Sequence, residues 1–214
     1  MEYRSKELLQ KHGLRVQNFI VVESVDEALH SLHKIKADEY VVKAQVLAGG
    51  REKGKFTSGL IGGVKLTRSS KDVISYVRDM IGYSLITKQT GPQGVLVKKV
   101  MIAESVNISK ETYLAVLLDK ESSSPVVMGC ASGGVDIEEI AVRSPGSIFK
   151  EIINIDKGIL PEQCLKIASS LRLGDEFLQE AAVQIQRLYD MFVKLDATMI
   201  EINPFCTSLD NKRE

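Results

Sequence analysis

The sequence predicts an α+β fold, with helices and strands interleaved in the first half and an antiparallel sheet with helices in the second. Three observations predict it. Short β-branched runs alternate with helically spaced apolar residues as far as the turn at Thr90–Gly94. Beyond it, Val95–Glu104, Glu111–Asp119 and Pro125–Ala131 form strand-like runs joined by short links, which favours antiparallel pairing. Residues 175–194 then carry the most regular helical stripe in the chain: Phe177, Leu178, Ala181, Ala182, Ile185, Leu188, Tyr189 and Phe192.

Each element has a local cause. Residues 2–12, with Tyr3, Leu8 and Leu9 among charges, read as a short helix stopped at Gly13. Leu14–Val22 reads as a strand on the strength of Val16, Ile20, Val21 and Val22. Ser24 is placed to cap a helix with Asp26 and Glu27 in its first turn, and Ala28, Leu29, Leu32 and Ile35 at helical spacing. Strands are expected at 40–47 and 60–67, then a helix from Ser69 or Ser70 with Val73, Ile74, Val77, Met80 and Ile81 inward, and a strand over Leu85–Gln89. Pro161 suits the first turn of a helix over Leu160–Leu171. Thr198–Phe205 reads as a last strand with alternating outward polar groups, followed by a polar tail from Cys206.

Lys plus Arg and Asp plus Glu both number 28, so the net charge is zero and gives no electrostatic case for nucleic acid or an acidic membrane surface. With 44% hydrophobic residues the chain can fill one large or two small cores. No apolar run reaches the length of a membrane span, and the chain opens almost directly in an amphipathic segment, so a targeting peptide is expected to have been removed or never present. Cys130, Cys164 and Cys206 are odd in number and lack His neighbours, which favours a reducing compartment over a disulfide frame or zinc site. His12, His30 and His33 all lie near the start, which argues against a Ser-His or Cys-His pair.

The densest chemistry lies in Val41–Phe56. A strand carrying Lys43 runs into Gly49, Gly50 and Gly54, with Arg51, Lys53 and Lys55 nearby. Glycines let the backbone approach a ligand, and loop N–H groups with cations suit a polyphosphate. A hairpin with a solvated basic tip is the alternative. Gly49–Lys55 also fits the body of a Walker A loop, G-x-x-x-x-G-K, but Phe56 stands where a magnesium-binding Ser or Thr is needed, and residues 57–66 are too glycine-rich for the helix that should come next. That assignment fails.

Elsewhere, Glu201 and Asn203 sit two apart on a strand and project from one face, with Ile200 and Ile202 on the other. A carboxylate and an amide oxygen suit Mg2+, though an exposed strand face has the same pattern. Glu104, Val106 and Asn107 form a link of the kind that offers backbone groups to a base edge, and Glu111 lies on the next strand. Gly133–Gly134 is a close-approach turn or a plain one, and Lys65 is a phosphate contact or a solvated lysine.

Taken in order, Val42–Arg51, Gly62-Gly63-Val64, Gly133-Gly134-Val135-Asp136-Ile137-Glu138 and Ile200-Glu201-Ile202-Asn203-Pro204 resemble the β subunits of succinyl-CoA synthetase (succinate–CoA ligase), in their nucleotide-binding half. The resemblance implies an ATP-grasp fold of two α+β subdomains with the nucleotide site between them: a small subdomain over 17–99 and a large one over 1–16 and 100–214. It implies that Lys43, Gly50 and Arg51 bind the nucleotide phosphates, with Glu52 in the same loop. It further implies that Asn203 ligates Mg2+, that Glu201 faces a phosphohistidine during transfer, that Glu104 and Val106 lie at the base, and that Glu111 lines the pocket. Gln17 matches the GTP-type members, since a glutamine offers guanine both a donor and an acceptor.

In function, the resemblance implies a GTP/GDP-binding part of an acid–CoA ligase of the tricarboxylic acid cycle. It would work with an α subunit as a heterodimer in the mitochondrial matrix, interconverting succinate, CoA and GTP with succinyl-CoA, GDP and phosphate. Arg51 would join Glu201 in the catalytic set. Two departures stand out. Glu52 replaces a family glycine, and a carboxylate about 4 Å from a phosphate costs roughly 1 kcal/mol in water and about 4 near a protein surface. Glu52 is therefore expected to point away, pair with Lys53 or Lys55, or weaken binding. A second metal-binding aspartate and a CoA-ligase domain of the family lie beyond this C-terminus, so the chain alone is not expected to turn over. The alternatives are a non-catalytic binding module and the same part of an ATP-, malate- or citrate-type ligase.

Overall fold

The computed structural model describes residues 1–134 and 137–208, and the chain separates into two compact units, Met1–Leu8 with Val16–Val106 and Leu9–Arg15 with Asn107–Glu214. Val135 and Asp136 of the Gly-Gly-Val-Asp motif, and residues 209–214 of the polar tail, lie outside the described residues.

The first unit takes the opening residues of α1 (Glu2–Lys11) through Leu8, then β1 (Phe19–Val22) and α2 (Val25–Ser31). Ser24 caps α2, its hydroxyl accepting the Glu27 N–H at 3.1 Å, with Asp26 and Glu27 at the positive end of the helix dipole. A 3₁₀ turn over Leu32–Lys34 ends the helical stretch. Leu32 and Ile35 are buried, whereas Leu29 is 58% exposed and belongs to the outer face. The chain continues through β2 (Tyr40–Ala44), β3 (Lys55–Phe56), β4 (Val64–Thr67), α3 (Ser70–Met80, capped by Ser69), β5 (Ser84–Ile86), β6 (Val95–Leu96) and β7 (Val100–Glu104).

The main sheet of this unit is antiparallel, in the order β1-β7-β2-β4, and β3-β5-β6 form a second small sheet. Tyr40, Val42 and Ala44 of β2 join Val100 and Ile102 of β7, Ala28 of α2 and Val73, Val77 and Met80 of α3 in one core. Alternation along β2 then turns Val41 and Lys43 to the opposite face. The boundary expected between residues 99 and 100 falls instead after Val106. The cause is β7, whose residues Val100–Ala103 are fully buried and pair with β1 on one side and β2 on the other. A run buried on both faces must sit in the middle of a sheet.

The second unit is built on β8 (Ile108–Asp119) and β9 (Ser124–Cys130), with α4 (Ile137–Arg143), β10 (Ile148–Ile152), α5 (Pro161–Leu171), α6 (Leu178–Lys194) and β11 (Met199–Ser208) after them. Its antiparallel sheet has the order β10-β9-β8-β11. Leu114 and Val116 of β8 pack with the α5 and α6 residues Ile167, Leu171, Ile185, Leu188 and Phe192. Tyr113 and Ala115, on the other face, pack with Cys130 and with Ile137 and Ile140 of α4. The α6 stripe is therefore core, as its spacing predicts. Cys130, Cys164 and Cys206 form no disulfide among the described residues. No helix among the described residues is long and apolar enough to cross a membrane.

At the end of β8, Lys150 of β10 binds Asp119 Oδ2 at 2.8 Å, and the Ser122 hydroxyl and N–H donate to the same oxygen at 2.7 and 2.9 Å. The Lys150 contact first, then the Ser122 donors, hold the Asp119 carboxyl at about 2. A depressed folded-state pKa contributes stability above the ordinary carboxylate range, lost as pH falls toward the folded value. The advantage of the natural chain over Asp119→Asn in thermal midpoint should therefore be full near about pH 6 and gone near about pH 2. Melting curves across that range check this, and a pH-independent difference would contradict it.

Candidate functional site

In the first unit, two cations converge on one carboxylate. Lys43, aimed off the core face of β2, lies 3.0 Å from Glu2 Oε1, and Arg51 Nη2 lies 2.7 Å from Glu2 Oε2. Arg51 Nη1 donates to the Ala44 carbonyl at 2.8 Å. The three side chains are only 21–23% exposed. Burial alone would raise the Glu2 carboxyl, but Lys43 and Arg51 outweigh it and hold it below the usual range.

The loop that carries Arg51 is tied to the strands behind it. Gly50 adopts φ 69°, a left-handed conformation that glycine takes without a side-chain penalty, and the chain turns there into a short 3₁₀ turn over Arg51–Lys53. The Arg51 carbonyl accepts the Gly54 N–H at 3.1 Å and the Gly63 N–H at 2.7 Å, while the Gly63 carbonyl accepts the Ala44 N–H at 2.9 Å. Strand β3, and no helix, comes after the loop. Glu52 is exposed and forms no ion pair with Lys53 or Lys55 among the described residues. Lys65 lies over the Tyr76 ring, 5.8 Å from its centroid.

At the far end of β7 the Gln17 amide is used at both ends. Lys6 donates to its Oε1 at 2.5 Å, and its Nε2 donates to the Glu104 carbonyl at 2.8 Å. The Glu104 carboxylate turns to Asn18, accepting from its backbone N–H at 2.8 Å and its Nδ2 at 3.1 Å. Gln17 and Glu104 thus meet, through a backbone carbonyl. Val106 is half-buried and closes the unit.

In the second unit, Glu201 and Asn203 are both exposed on β11, and Ile200 and Ile202 pack against the α5–α6 core. Glu201 pairs with Ala115 of β8, on the α4 side of the sheet. Burial first, then the charge of Glu138 on α4, push its carboxyl up. Tyr113 is pushed to about 12 by burial and by Glu201 and Glu138. Asn203 sits in a register shift of β11 between Ile202 and Phe205, where its Oδ1 accepts the Gly134 N–H at 2.7 Å. A Cβ on Gly134 would lie 2.2 Å from Glu111 Oε2, which brings Glu111, Gly134 and Asn203 together. Among the described residues no group of three or more His, Cys, Asp or Glu is arranged to hold a metal.

A family model described as an ATP-grasp domain matches residues 1–207. The chain belongs to the ATP-grasp family. It is 52% identical over 95% of its length to the mitochondrial succinate–CoA ligase [GDP-forming] subunit beta of Columba livia, and 50% identical over 95% to that of Homo sapiens. The chain spans about half the length of the curated relatives it matches, 52% and 47% of these two. Among solved structures, a dinucleotide-forming acetyl-coenzyme A synthetase of Ca. Korarchaeum cryptofilum shares the fold, with a TM-score of 0.67 at 18% identity over 94% of this chain and 84% of that one.

Three residues of this ATP-grasp chain's cluster escape a reading of the sequence. Gln45, 1% exposed, accepts the Tyr3 N–H at 3.1 Å and donates to the Lys43 carbonyl at 3.2 Å. Gln89 accepts the Gly49 N–H at 2.7 Å, and Glu2 bridges the two cations. Only Gln45 leaves a signal, as a polar residue at the end of an apolar strand. The Gly133 backbone offers a test of how closely its turn is held. A Cβ there would lie 2.2 Å from the Thr112 carbonyl oxygen, whereas one on Gly146 meets nothing within 4 Å. Gly133→Ala should lose about 1–3 kcal/mol in urea unfolding and Gly146→Ala less than about 0.5. Equal effects would contradict the close approach.

Proposed function

We propose that this chain is the nucleotide-binding part of a GDP-forming succinate–CoA ligase β subunit. One observation carries the reading: in a chain half identical to such subunits, Lys43 and Arg51 converge beside a glycine loop. Phosphoryl transfer asks a protein mainly to position the phosphates and neutralise their charge. Lys43 supplies a point charge and Arg51 a planar fork of donors, while Gly50 lets the loop backbone come close.

On this reading the whole enzyme interconverts succinate, CoA and GTP with succinyl-CoA, GDP and phosphate, with an α subunit carrying the phosphohistidine. The names of the relatives support a mitochondrial location, and the matrix is the compartment proposed. Glu201 is proposed to face the phosphohistidine, and Glu111 to line the nucleotide pocket. Mg2+ would be held by Asn203, whose amide oxygen is a hard donor set in place by the Gly134 N–H. When bound, the ion neutralises phosphoryl oxygens. Glu104 and Val106 contribute backbone groups at the base, and Gln17 supplies the guanine preference.

Titration calorimetry with Mg-GDP and Mg-ADP tests this directly. The chain should bind Mg-GDP more tightly. Gln17→Pro should reduce the preference roughly tenfold, the worth of about one hydrogen bond. Binding of neither nucleotide would overturn the reading, and an unchanged preference in the variant would remove Gln17 from the site.

A further inference from the structure

We propose that Glu2 is a positioning residue for the phosphate cations, presetting Lys43 and Arg51 in the arrangement a polyphosphate meets. This rests on the reading above that these two side chains hold nucleotide phosphates. Glu2 gives one carboxylate oxygen to each cation, at 3.0 Å to Lys43 Nζ and 2.7 Å to Arg51 Nη2. With Nη1 already on the Ala44 carbonyl at 2.8 Å, the guanidinium is fixed at two nitrogens and so in its plane. Its remaining N–H groups and those of the ammonium stay available to an anion.

Glu2 is itself held from behind. The next residue, Tyr3, is 5% exposed, and its N–H donates to Gln45 Oε1 at 3.1 Å. Gln45 Nε2 returns to the carbonyls of Lys43 at 3.2 Å and Ala44 at 3.4 Å. The ring closes through Arg51 to Ala44, so the backbone that carries the carboxylate and the backbone that carries Lys43 are locked through one buried amide. One anion against two cations leaves the cluster net positive, and an incoming polyphosphate is still attracted. The competing idea is that Glu2 occupies the place of a phosphate and must be displaced. The two ideas predict opposite signs.

Calorimetry on the natural chain, Glu2→Gln and Glu2→Asp, with Mg-GDP, guanosine and inorganic tripolyphosphate, separates them. Glutamine keeps the shape but presents an NH2 to one of the cations. It should weaken Mg-GDP and tripolyphosphate about tenfold and leave guanosine unchanged. Aspartate keeps the charge on a shorter stem and should fall between, and it decides the matter if Glu2→Gln does not fold. Tighter tripolyphosphate binding by the variants would overturn the proposal in favour of displacement. An equal loss for guanosine would reduce Glu2 to a structural part. If the natural chain takes tripolyphosphate and no nucleotide, the nucleotide reading fails while the tripolyphosphate titrations still decide Glu2. Binding of neither overturns both.

Discussion

Two cations held against a single carboxylate are the constraint on which the first unit's chemistry depends. Like unit charges brought to within several ångströms repel by a few kcal/mol at an effective dielectric constant of about 20. Lys43 and Arg51 are less than a quarter exposed, so water alone does not relieve that repulsion. Glu2 does, and the depression of its carboxyl despite burial records the interaction from the acid's side. The rest of the unit serves this geometry. Alternation on β2 sends Lys43 away from the apolar core, and Gly50 permits the turn that swings Arg51 back to Ala44. The Arg51 carbonyl, taking N–H groups from Gly54 and Gly63, ties the loop to the start of β4.

Much of this was legible in the sequence because it is local. A short β-branched run identified the strand of Lys43, the glycines identified the loop, and Phe56 with the glycines after it excluded a Walker A helix. Ser24 and Ser69 announced their helices through capping chemistry that acts over three residues. What the sequence hid acts over distance. Glu2 lies 41 residues from Lys43 and 49 from Arg51, and nothing in an amphipathic first helix singles out Glu2 over Glu7. β7 was misplaced for the same reason. Short links tie it to the strands after it, but its partners β1 and β2 lie far back in the chain. α4 and β10 are a short helix and a short edge strand, too brief for either period to be read.

The second unit shows the same division. The outward alternation of Glu201 and Asn203 was readable, since Ile200 and Ile202 had to face the helices. The register shift beyond Ile202, and the Gly134 N–H that meets Asn203, were not, because they depend on how closely the glycine turn passes over β8. A turn that excludes a Cβ at Gly133, against the backbone of Thr112, fixes its N–H groups relative to the strand beneath. Asn203 is oriented by that backbone, and Glu111 is brought beside it from the adjacent strand.

Gln17 shows how a single amide acquires a direction. A primary amide can flip end for end, and only its neighbours decide which end faces which. Here Lys6 offers only hydrogens, so the amide oxygen must face it, and the Glu104 carbonyl offers only lone pairs, so the nitrogen must face that. The two neighbours together admit one orientation. They also consume part of each end, leaving the second N–H of the amide as a donor and the oxygen as a shared acceptor. A donor fixed beside the Glu104 carbonyl, itself an acceptor, is a pattern suited to a base edge that presents an oxygen next to an N–H, as guanine does, and adenine presents an amino group in place of that oxygen. Proline at the same position would supply neither end. On the proposed reading of Gln17 at the base, the orientation it presents there would be the one that Lys6 and the Glu104 carbonyl fix.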